Sequence, residues 1–449
     1  MVFVFFLIFG PFGISRYPSY LLMAIAHASQ GDNGQSAARQ AKPGRRKTVV
    51  DQKEDYSVAM WGRGDEFQLG NGERRDRQLP VAMMFTKVQI TSVACGSKHT
   101  IVLLGPSHAP RVFAWGEAQH GQLGVAKNAS MHAMSPIEVE ALAPTSTFMV
   151  REVGAGGNGS FALTSRQELL LWGDNSNEQL GLGSSFRGVD RVFSPKPLSP
   201  NWDTLDMQWR TLYITKAVLA RNFGLAVDKY GRVFAWGENI HGQLGVGDRS
   251  PRNTPVMVEG LQQVRQIAVG LQHSAAIDSR RQLYTWGDCA DGRLGHGVLH
   301  TEVRSVKNNV ITRSRKRVES LLEPKCVEFF RSGKEVSLVA CGDRFTIAVD
   351  GRGDAWTWGS GIYGQLGRGA SHLSSELPSR VEWAQLRRTN QGHDSPKKIL
   401  RISGKLAHPR TFPRWSRCSN QSVQIASRAR VDSSKESALT PSPVCPLEN

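Results

Sequence analysis

The sequence predicts an all-β propeller assembled from six copies of one supersecondary unit. Three observations carry that prediction. First, a Trp-Gly pair is followed at fixed spacing by a Leu-Gly pair six times: Trp61 leads to Leu69, Trp115 to Leu123, Trp172 to Leu180, Trp236 to Leu244, Trp286 to Leu294 and Trp358 to Leu366. Second, the copies recur every 50 to 72 residues, so the unit is constant while its connections vary. A period of this size belongs to propellers and solenoids. Third, short β-branched and aromatic runs bounded by turn residues surround each pair, as they do in strands. Gly, at 45 of 449 residues, exceeds its usual share of about 7%.

Taken in order, residues 1–54 read as an apolar N-terminal segment and a basic linker. Residues 1–13 are almost wholly apolar, and Ala26-His27-Ala28 has the small-x-small look of a processing site. No basic residue precedes the apolar run, and Gly10, Pro11 and Gly13 interrupt it. It is shorter than the roughly 20 residues a spanning helix needs. Met23 is an alternative start that would delete the run. The expected location is the cytoplasm or nucleus, with the secretory pathway or a membrane anchor as the alternative if residues 1–28 are a true signal.

The propeller is expected over residues 55–408. Val264–Gly295 shows the unit clearly. Gln266–Gly270 and Ser274–Ile277 form a strand pair across a Leu271-Gln272-His273 turn. Asp278–Arg281 is a polar turn, and Gln282–Trp286 is a third strand that runs into Trp-Gly. The tryptophans Trp61, Trp115, Trp172, Trp236, Trp286 and Trp358 are expected to be structural, each packing a large flat face between neighbouring units. The Leu is a core plug, and the Gly residues allow backbone angles or close approaches that a Cβ would block. Five whole units lie between Trp61 and Trp358. A sixth can be assembled from two halves, Tyr56–Trp61 and Ile399–Gly404, which are expected to pair and close the ring. After Gly404 the pattern fails.

Formal charge is +17, which favours acidic partners such as nucleic acid, nucleosomal acidic patches or anionic membrane; a membrane partner is still not expected, since no stretch beyond the N-terminal segment could cross one. Its distribution is uneven. Arg304–Arg317 holds six basic residues and no acid, within a long insertion at about 297–335 that is expected to be exposed and mobile. Arg313, Arg315, Lys316 and Arg317 put four cations in five positions, with Glu302 and Glu319 as the nearest acids. They are candidate contacts for an acidic chromatin or nucleic-acid surface, with a solvated loop as the alternative. Residues 409–449 form a Ser-rich basic tail, expected to lack order.

No catalytic constellation is visible: no nucleophile elbow, no phosphate loop, no His pair at metal spacing. The expectation is no catalytic residue, no cofactor and no metal. Cys95 and Cys341 occupy one position of two copies, in Val-Ala-Cys-Gly, as small buried residues rather than ligands.

These units resemble the regulator of chromosome condensation family of β-propellers, whose unit reads roughly Gly-x-x-His, a strand pair, then Trp-Gly-x-x-x-x-Gly-Gln-Leu-Gly. Trp115–Gly124, Trp236–Gly245 and Trp358–Gly367 match in full. Phe67 and Glu178 replace the inner Gly elsewhere, and Arg293 replaces Gln. The resemblance spans roughly residues 55–404. It implies a ring that usually has seven blades, so this chain has either six or a seventh that is missing or degenerate. It also implies that the Gly-x-x-His turns lie on one face, where founding members supply Asp and His for nucleotide exchange on the Ran GTPase. Mapped by position, Gly96–His99 and Gly270–His273 keep the turn, while Gly159, Phe223 and Phe345 stand where His would be, and Asp343 is the acid within these turns. His99, His273 and Asp343 are therefore candidate partner contacts, with hydrogen bonding inside the fold as the structural alternative for the two His. A related plant photoreceptor carries Trp in these turns; here the positions hold Ser97-Lys98, Asn158, Asn222, Leu271-Gln272 and Asp343-Arg344. The expected function is a non-enzymatic scaffold for protein partners. The alternative is guanine-nucleotide exchange on a small Ran-type GTPase, associated with chromatin.

Overall fold

Among the described residues seven antiparallel sheets form, six that follow one another along the chain as blades and one two-stranded ribbon. The computed structural model describes residues 22–28, 55–86, 90–105, 109–125, 131–145, 148–198, 212–307, 310–331, 333–369 and 374–381. The first sheet joins β1 (Leu22–Ala28), β2 (Asp55–Gly62) and β3 (Arg77–Thr86). The second runs β4 (Ile90–Cys95), β5 (His99–Leu104), β6 (Arg111–Glu117), β7 (His132–Glu138). The third contains β8 (Val150–Gly156), β9 (Gly159–Thr164), β10 (Leu169–Asp174) and β11 (Arg191–Pro197). The fourth contains β12 (Ile214–Leu219), β13 (Phe223–Asp228), β14 (Val233–Gly237) and β15 (Arg252–Met257). In the fifth, β16 (Val264–Val269), β17 (His273–Asp278) and β18 (Leu283–Asp288) precede a separate ribbon of β19 (His300–Lys307) and β20 (Val310–Arg317), and β21 (Ser320–Cys326) supplies the outer strand. The sixth is β22 (Val336–Cys341), β23 (Phe345–Asp350), β24 (Ala355–Ser360) and β25 (Ser374–Arg380). The fold is an all-β propeller of four-stranded blades.

The second to sixth blades put their first strand at the axis. β4, β8, β12, β16 and β22 together wall a central cavity of about 780 Å³. The second and third strands are buried because neighbouring blades cover both their faces. Every residue of β5, β9, β13 and β17 is buried. Strands with no wet face read as near-continuous apolar runs.

The Trp-Gly motif fastens one blade to the next. The indole N–H of Trp172 donates to the Gln122 carbonyl of the preceding blade at 3.0 Å, and Ser160 Oγ donates to the same oxygen at 2.8 Å. Trp115 and Thr100 bond Gln68 O in this way, both at 2.9 Å. Trp286 and Ser274 bond Gln243 O at 2.9 and 2.7 Å, and Trp236 bonds Gln179 O at 3.0 Å. Gly245, at φ 75°, makes the contact possible: a Cβ there would lie 2.6 Å from Trp286 Nε1. The Gln side chain braces the loop from inside, as its Oε1 accepts the N–H two residues earlier at Glu66, His120, Asn177, His241 and Tyr363.

The fifth-to-sixth junction departs from this scheme. Arg293, which stands in place of Gln, is fully buried, with its guanidinium 3.0 Å from Asp288 Oδ2 and 3.1 Å from Asp291 Oδ2. Thr346 Oγ1 still donates to the residue 293 carbonyl at 2.8 Å, but the Trp358 indole N–H has no partner among the described residues.

Three expectations need correction. β2 does not pair with Ile399–Gly404, which lie outside the described residues. Both its edges are taken, by β1 and β3. The register Leu22↔Gly62 and Met23↔Trp61 repeats His99↔Gly116 and Thr100↔Trp115, so β1, upstream of the expected start at residue 55, fills the second-strand place of its blade. Five of the six motif tryptophans are fully buried, whereas Trp61 is half-buried, and among the described residues no bond joins it to the sixth blade. Finally, the insertion is narrower than 297–335. Only the ribbon stands outside the blades; Ser320–Cys326 completes the fifth sheet, and Val327 and Phe330 pack into the core.

Trp236→Ala should destabilise the fold by about 3–5 kcal/mol in urea unfolding, the usual cost of a large-to-small aromatic core change. At the fifth junction, Arg293→Gln should leave stability within about 1 kcal/mol. Gln122 Nε2 already donates to the Glu117 carboxylate at 3.1 Å in the equivalent place. Arg293→Met should instead cost about 3–5 kcal/mol, because it strands Asp288 without its cation.

Candidate functional site

The Gly-x-x-His turns and the Trp-Gly loops meet at one end of the propeller because the strand register places them side by side. The residue after Trp-Gly donates its backbone N–H to the third turn residue in five blades: Glu117 to Lys98 O, Asp174 to Asn158 O, Glu238 to Asn222 O, Asp288 to Gln272 O and Ser360 to Arg344 O, at 2.8–3.0 Å. Side chains then pair across the same seam. Lys98 Nζ lies 2.9 Å from Glu117 and 3.4 Å from Glu66, and Asn222 Nδ2 donates to Glu238 at 3.0 Å. His132 Nε2 approaches Glu66 to 2.6 Å, the Gln272 amide approaches His241 Nε2 to 2.8 Å, and Arg344 reaches Asp291 at 3.9 Å. This end is a belt of polar groups largely paired with one another. The acids at Glu117, Asp174, Glu238 and Asp288 were readable as one repeated motif position, a signal that inspection of the His turns alone misses.

His99 and His273 do not reach that surface. Both are fully buried. His99 Nε2 lies 2.7 Å from Ser160 Oγ and His273 Nε2 lies 3.0 Å from Thr346 Oγ1, in each case on the following blade. Each imidazole rests on its turn glycine, Gly96 or Gly270, where a Cβ would overlap the ring. They are fasteners between blades, which corrects the expectation that they contact a partner. Asp343 sits half-buried in the turn between β22 and β23.

The basic cluster is built differently from the isolated loop anticipated. Arg315, Lys316 and Arg317 are exposed on β20, while the side chain of Arg313 lies outside the described residues. Arg317 pairs with Glu376 of the sixth blade at 2.9 Å and Lys316 with Glu319 at 3.4 Å. Exposed pairs of this kind contribute little, about 0–1 kcal/mol. They set acids beside two of the cations at the base of the ribbon.

Burial makes the cysteines of the core poor nucleophiles, and it pushes the Cys341 thiol up to about 12 and Cys289 to about 11. Among the described residues no three His, Cys, Asp or Glu side chains converge as a metal site, and no helix is long and apolar enough to cross a membrane.

Burial, reinforced by the Arg293 guanidinium, holds His273 well below the usual 6.5, and burial takes His296 down to about 4. Both are neutral in the fold and protonate more readily once unfolded, so their contribution is full above about pH 6.5 and is lost as pH falls below it. The urea midpoint should therefore drop between pH 7 and 5, and His273→Asn should flatten that dependence. An unchanged slope in the variant would remove His273 from the account.

The model of the regulator of chromosome condensation (RCC1) repeat matches residues 57–103, 111–163, 230–277, 282–349 and 352–391, more than half the chain. The ultraviolet-B receptor UVR8 of Arabidopsis thaliana is 26% identical over 81% of this chain and 88% of its own length. The human E3 ubiquitin-protein ligase HERC2 is 34% identical over 61% of this chain, which spans only 5% of that protein. Among solved structures, human WBSCR16 superposes with a TM-score of 0.59 at 22% identity, covering 83% of this chain and 91% of that one. Prp20p of Saccharomyces cerevisiae, described with its binding to Gsp1p and histones, gives 0.57 at 18% identity, covering 74% and 75%. At these identities the two structures establish the fold alone.

Proposed function

The chain belongs to the regulator of chromosome condensation repeat family, and from that premise we infer that it is a non-enzymatic propeller platform that binds protein partners. The observation that carries this reading is the polar belt at the loop end. Most of its charged groups pair with one another, and no nucleophile, base and oxyanion donor come together among the described residues. Binding energy on such a surface comes from shape and exposed side chains such as Ile240 and Ile362 at the motif loop tips, 59% and 53% exposed. The turns hold Lys98, Asn158, Asn222, Gln272 and Arg344 rather than Trp, so a light-absorbing role like that in the plant receptor's name is not proposed.

Exchange on a small Ran-type GTPase is the second reading. It is favoured by the fold shared with Prp20p, which is described as binding Gsp1p. An exchange factor needs no bond-making residue, since it displaces nucleotide by differential binding. The burial of His99 and His273 weighs against transferring that activity. We also propose that the cationic ribbon contacts an acidic partner, and that the protein works in the cytoplasm or nucleus. Release of labelled GDP from purified Ran-type GTPases separates the two readings. The platform reading expects release rates within about twofold of the uncatalysed rate. Acceleration of tenfold or more, a difference of about 1.4 kcal/mol in barrier, would establish exchange instead.

A further inference from the structure

We propose that the central cavity binds a medium-chain carboxylate, with its apolar chain along the axis and its carboxylate between Lys216 and Arg265. This goes beyond the platform reading, which concerns the outer surfaces, and does not rest on it.

The cavity is amphipathic along its length. Each first strand begins at the end that carries the turns between second and third strands, as Ile214 pairs with Asp228 and Val264 with Asp278. Toward the other end, the last three residues of β4, β12, β16 and β22, with Val153–Ala155 of β8, all line the cavity, and every one is Val, Ile, Leu, Ala, Gly or Cys. At about 3.4 Å per residue this apolar zone is about 10 Å deep. The whole cavity, at about 780 Å³, lies within the roughly 300–1,000 Å³ of small-molecule sites. Water is a poor occupant of the apolar zone. A bound water needs about two to four polar partners, and these side chains offer only the thiols of Cys95 and Cys341. Each first strand pairs along one edge, which leaves backbone groups on the other. Neighbouring strands answer two of those carbonyls: Gln266 Nε2 donates to Val339 O at 2.9 Å, and Lys216 Nζ donates to Arg265 O.

The apolar end is drawn in. The turns that follow the first strands touch one another there. Ser97 N–H donates to Gly157 O at 2.7 Å and Leu271 N–H to Asp343 O at 3.2 Å, and a Cβ on Gly157 would lie 2.7 Å from Arg221 Cα. A ligand therefore enters from the hairpin end, and the charges of the cavity sit at that mouth. Lys216 and Arg265 are exposed on adjacent strands, and among the described residues neither is held in an ion pair. The other charges are engaged or further off. Asp278 accepts the N–H groups of Arg280 and Gln282 at 2.9 and 2.8 Å, Arg281 reaches Glu335 at 3.3 Å, and Glu152 stands on β8. The β12–β16 side of the mouth thus presents a cation from each strand. A carboxylate there gains charge-assisted hydrogen bonds, and the methylenes behind it leave water for the apolar wall.

The test titrates the full chain with decanoate by calorimetry, with decanol as the uncharged arm and melting temperatures as the folding control. Affinity should rise about fourfold per methylene from hexanoate to decanoate. The variant Lys216→Glu with Arg265→Glu should lose at least about tenfold for decanoate while staying within about threefold for decanol. Leu338→Trp, which narrows the mouth, should weaken both ligands. Saturating decanoate should slow alkylation of Cys95, half-buried in the wall, by iodoacetamide and leave Cys326, outside the cavity, unchanged. That protection is read in the unaltered chain, so it decides the matter even where a variant fails to fold. Absence of decanoate binding, affinity that ignores chain length, equal losses of acid and alcohol in the charge-reversed variant, or unprotected Cys95 would each overturn the proposal.

Discussion

One acceptor atom at each junction organises this propeller: the carbonyl oxygen of the residue before Leu-Gly. At the first, second and fourth junctions it receives two bonds from the next blade, from the tryptophan indole and from the hydroxyl of the residue directly opposite that tryptophan on the adjacent strand. Both donors are buried, so an unfilled carbonyl would cost about 1–3 kcal/mol. The geometry is stringent because the indole must reach over a Cα with no side chain. The spacing from Trp to Leu-Gly cannot drift by one residue without moving the oxygen, the glycine or both. That is why the motif is rigid in a chain whose outer period varies.

The same constraint explains residues that look functional in isolation. His99 and His273 extend the fastening inward, since each reaches the very hydroxyl, on Ser160 or Thr346, that bonds the shared carbonyl. Arg293 shows the constraint under substitution. Its backbone oxygen still accepts from Thr346, but its side chain replaces a neutral brace with a buried cation between two acids. Buried ion pairs of this sort add little net stability while being costly to break. The junction therefore trades one indole bond for charges that are intolerant of partial loss.

Much of this was legible in the sequence, and the reason is physical. A motif that must satisfy a bond in the neighbouring blade keeps its residue types and spacing, so the six Trp-Gly units and most of their strands could be read directly. Two things could not. The strand Leu22–Ala28 lacks the motif of the other second strands: opposite Trp61, where Thr100, Ser160 and Ser274 stand in their blades, it has Met23, and its text, LMAIAHA, reads equally well as part of a leader. The outer strand of the fifth blade was also hidden. Outer strands pair with an irregular register, as at Thr285/Gly287, and bear few buried residues, so Ser320–Cys326 leaves only a faint trace after a long excursion. In the candidate site, the acids after Trp-Gly were plain in the text but their partners were not, because which turn residue lies beside each depends on strand register.

The division between fastening and outer strand also locates where this chain can acquire function. Near the axis every residue answers to a neighbouring blade. Between the motif loop and the outer strand the chain touches the next blade mainly through single backbone bonds such as Gly183 N–H to Asn253 O and Gly247 N–H to Leu322 O, and its own blade through a ladder already broken by a bulge. Length added there leaves the carbonyl, indole and glycine in place. The ribbon enters at that point: it leaves after the Leu294-Gly295 motif and returns to the blade at Ser320. It is held at its base by Gly297 N–H to Glu376 O at 3.0 Å as well as by Arg317. Five arginines and lysines in excess over acid, from six cations and one carboxylate in residues 300–317, are concentrated on an element the fold does not need. A scaffold gains nothing in stability from such a concentration of like charge. Within the chain, Glu376 and Glu319 answer two of these cations, Arg317 and Lys316.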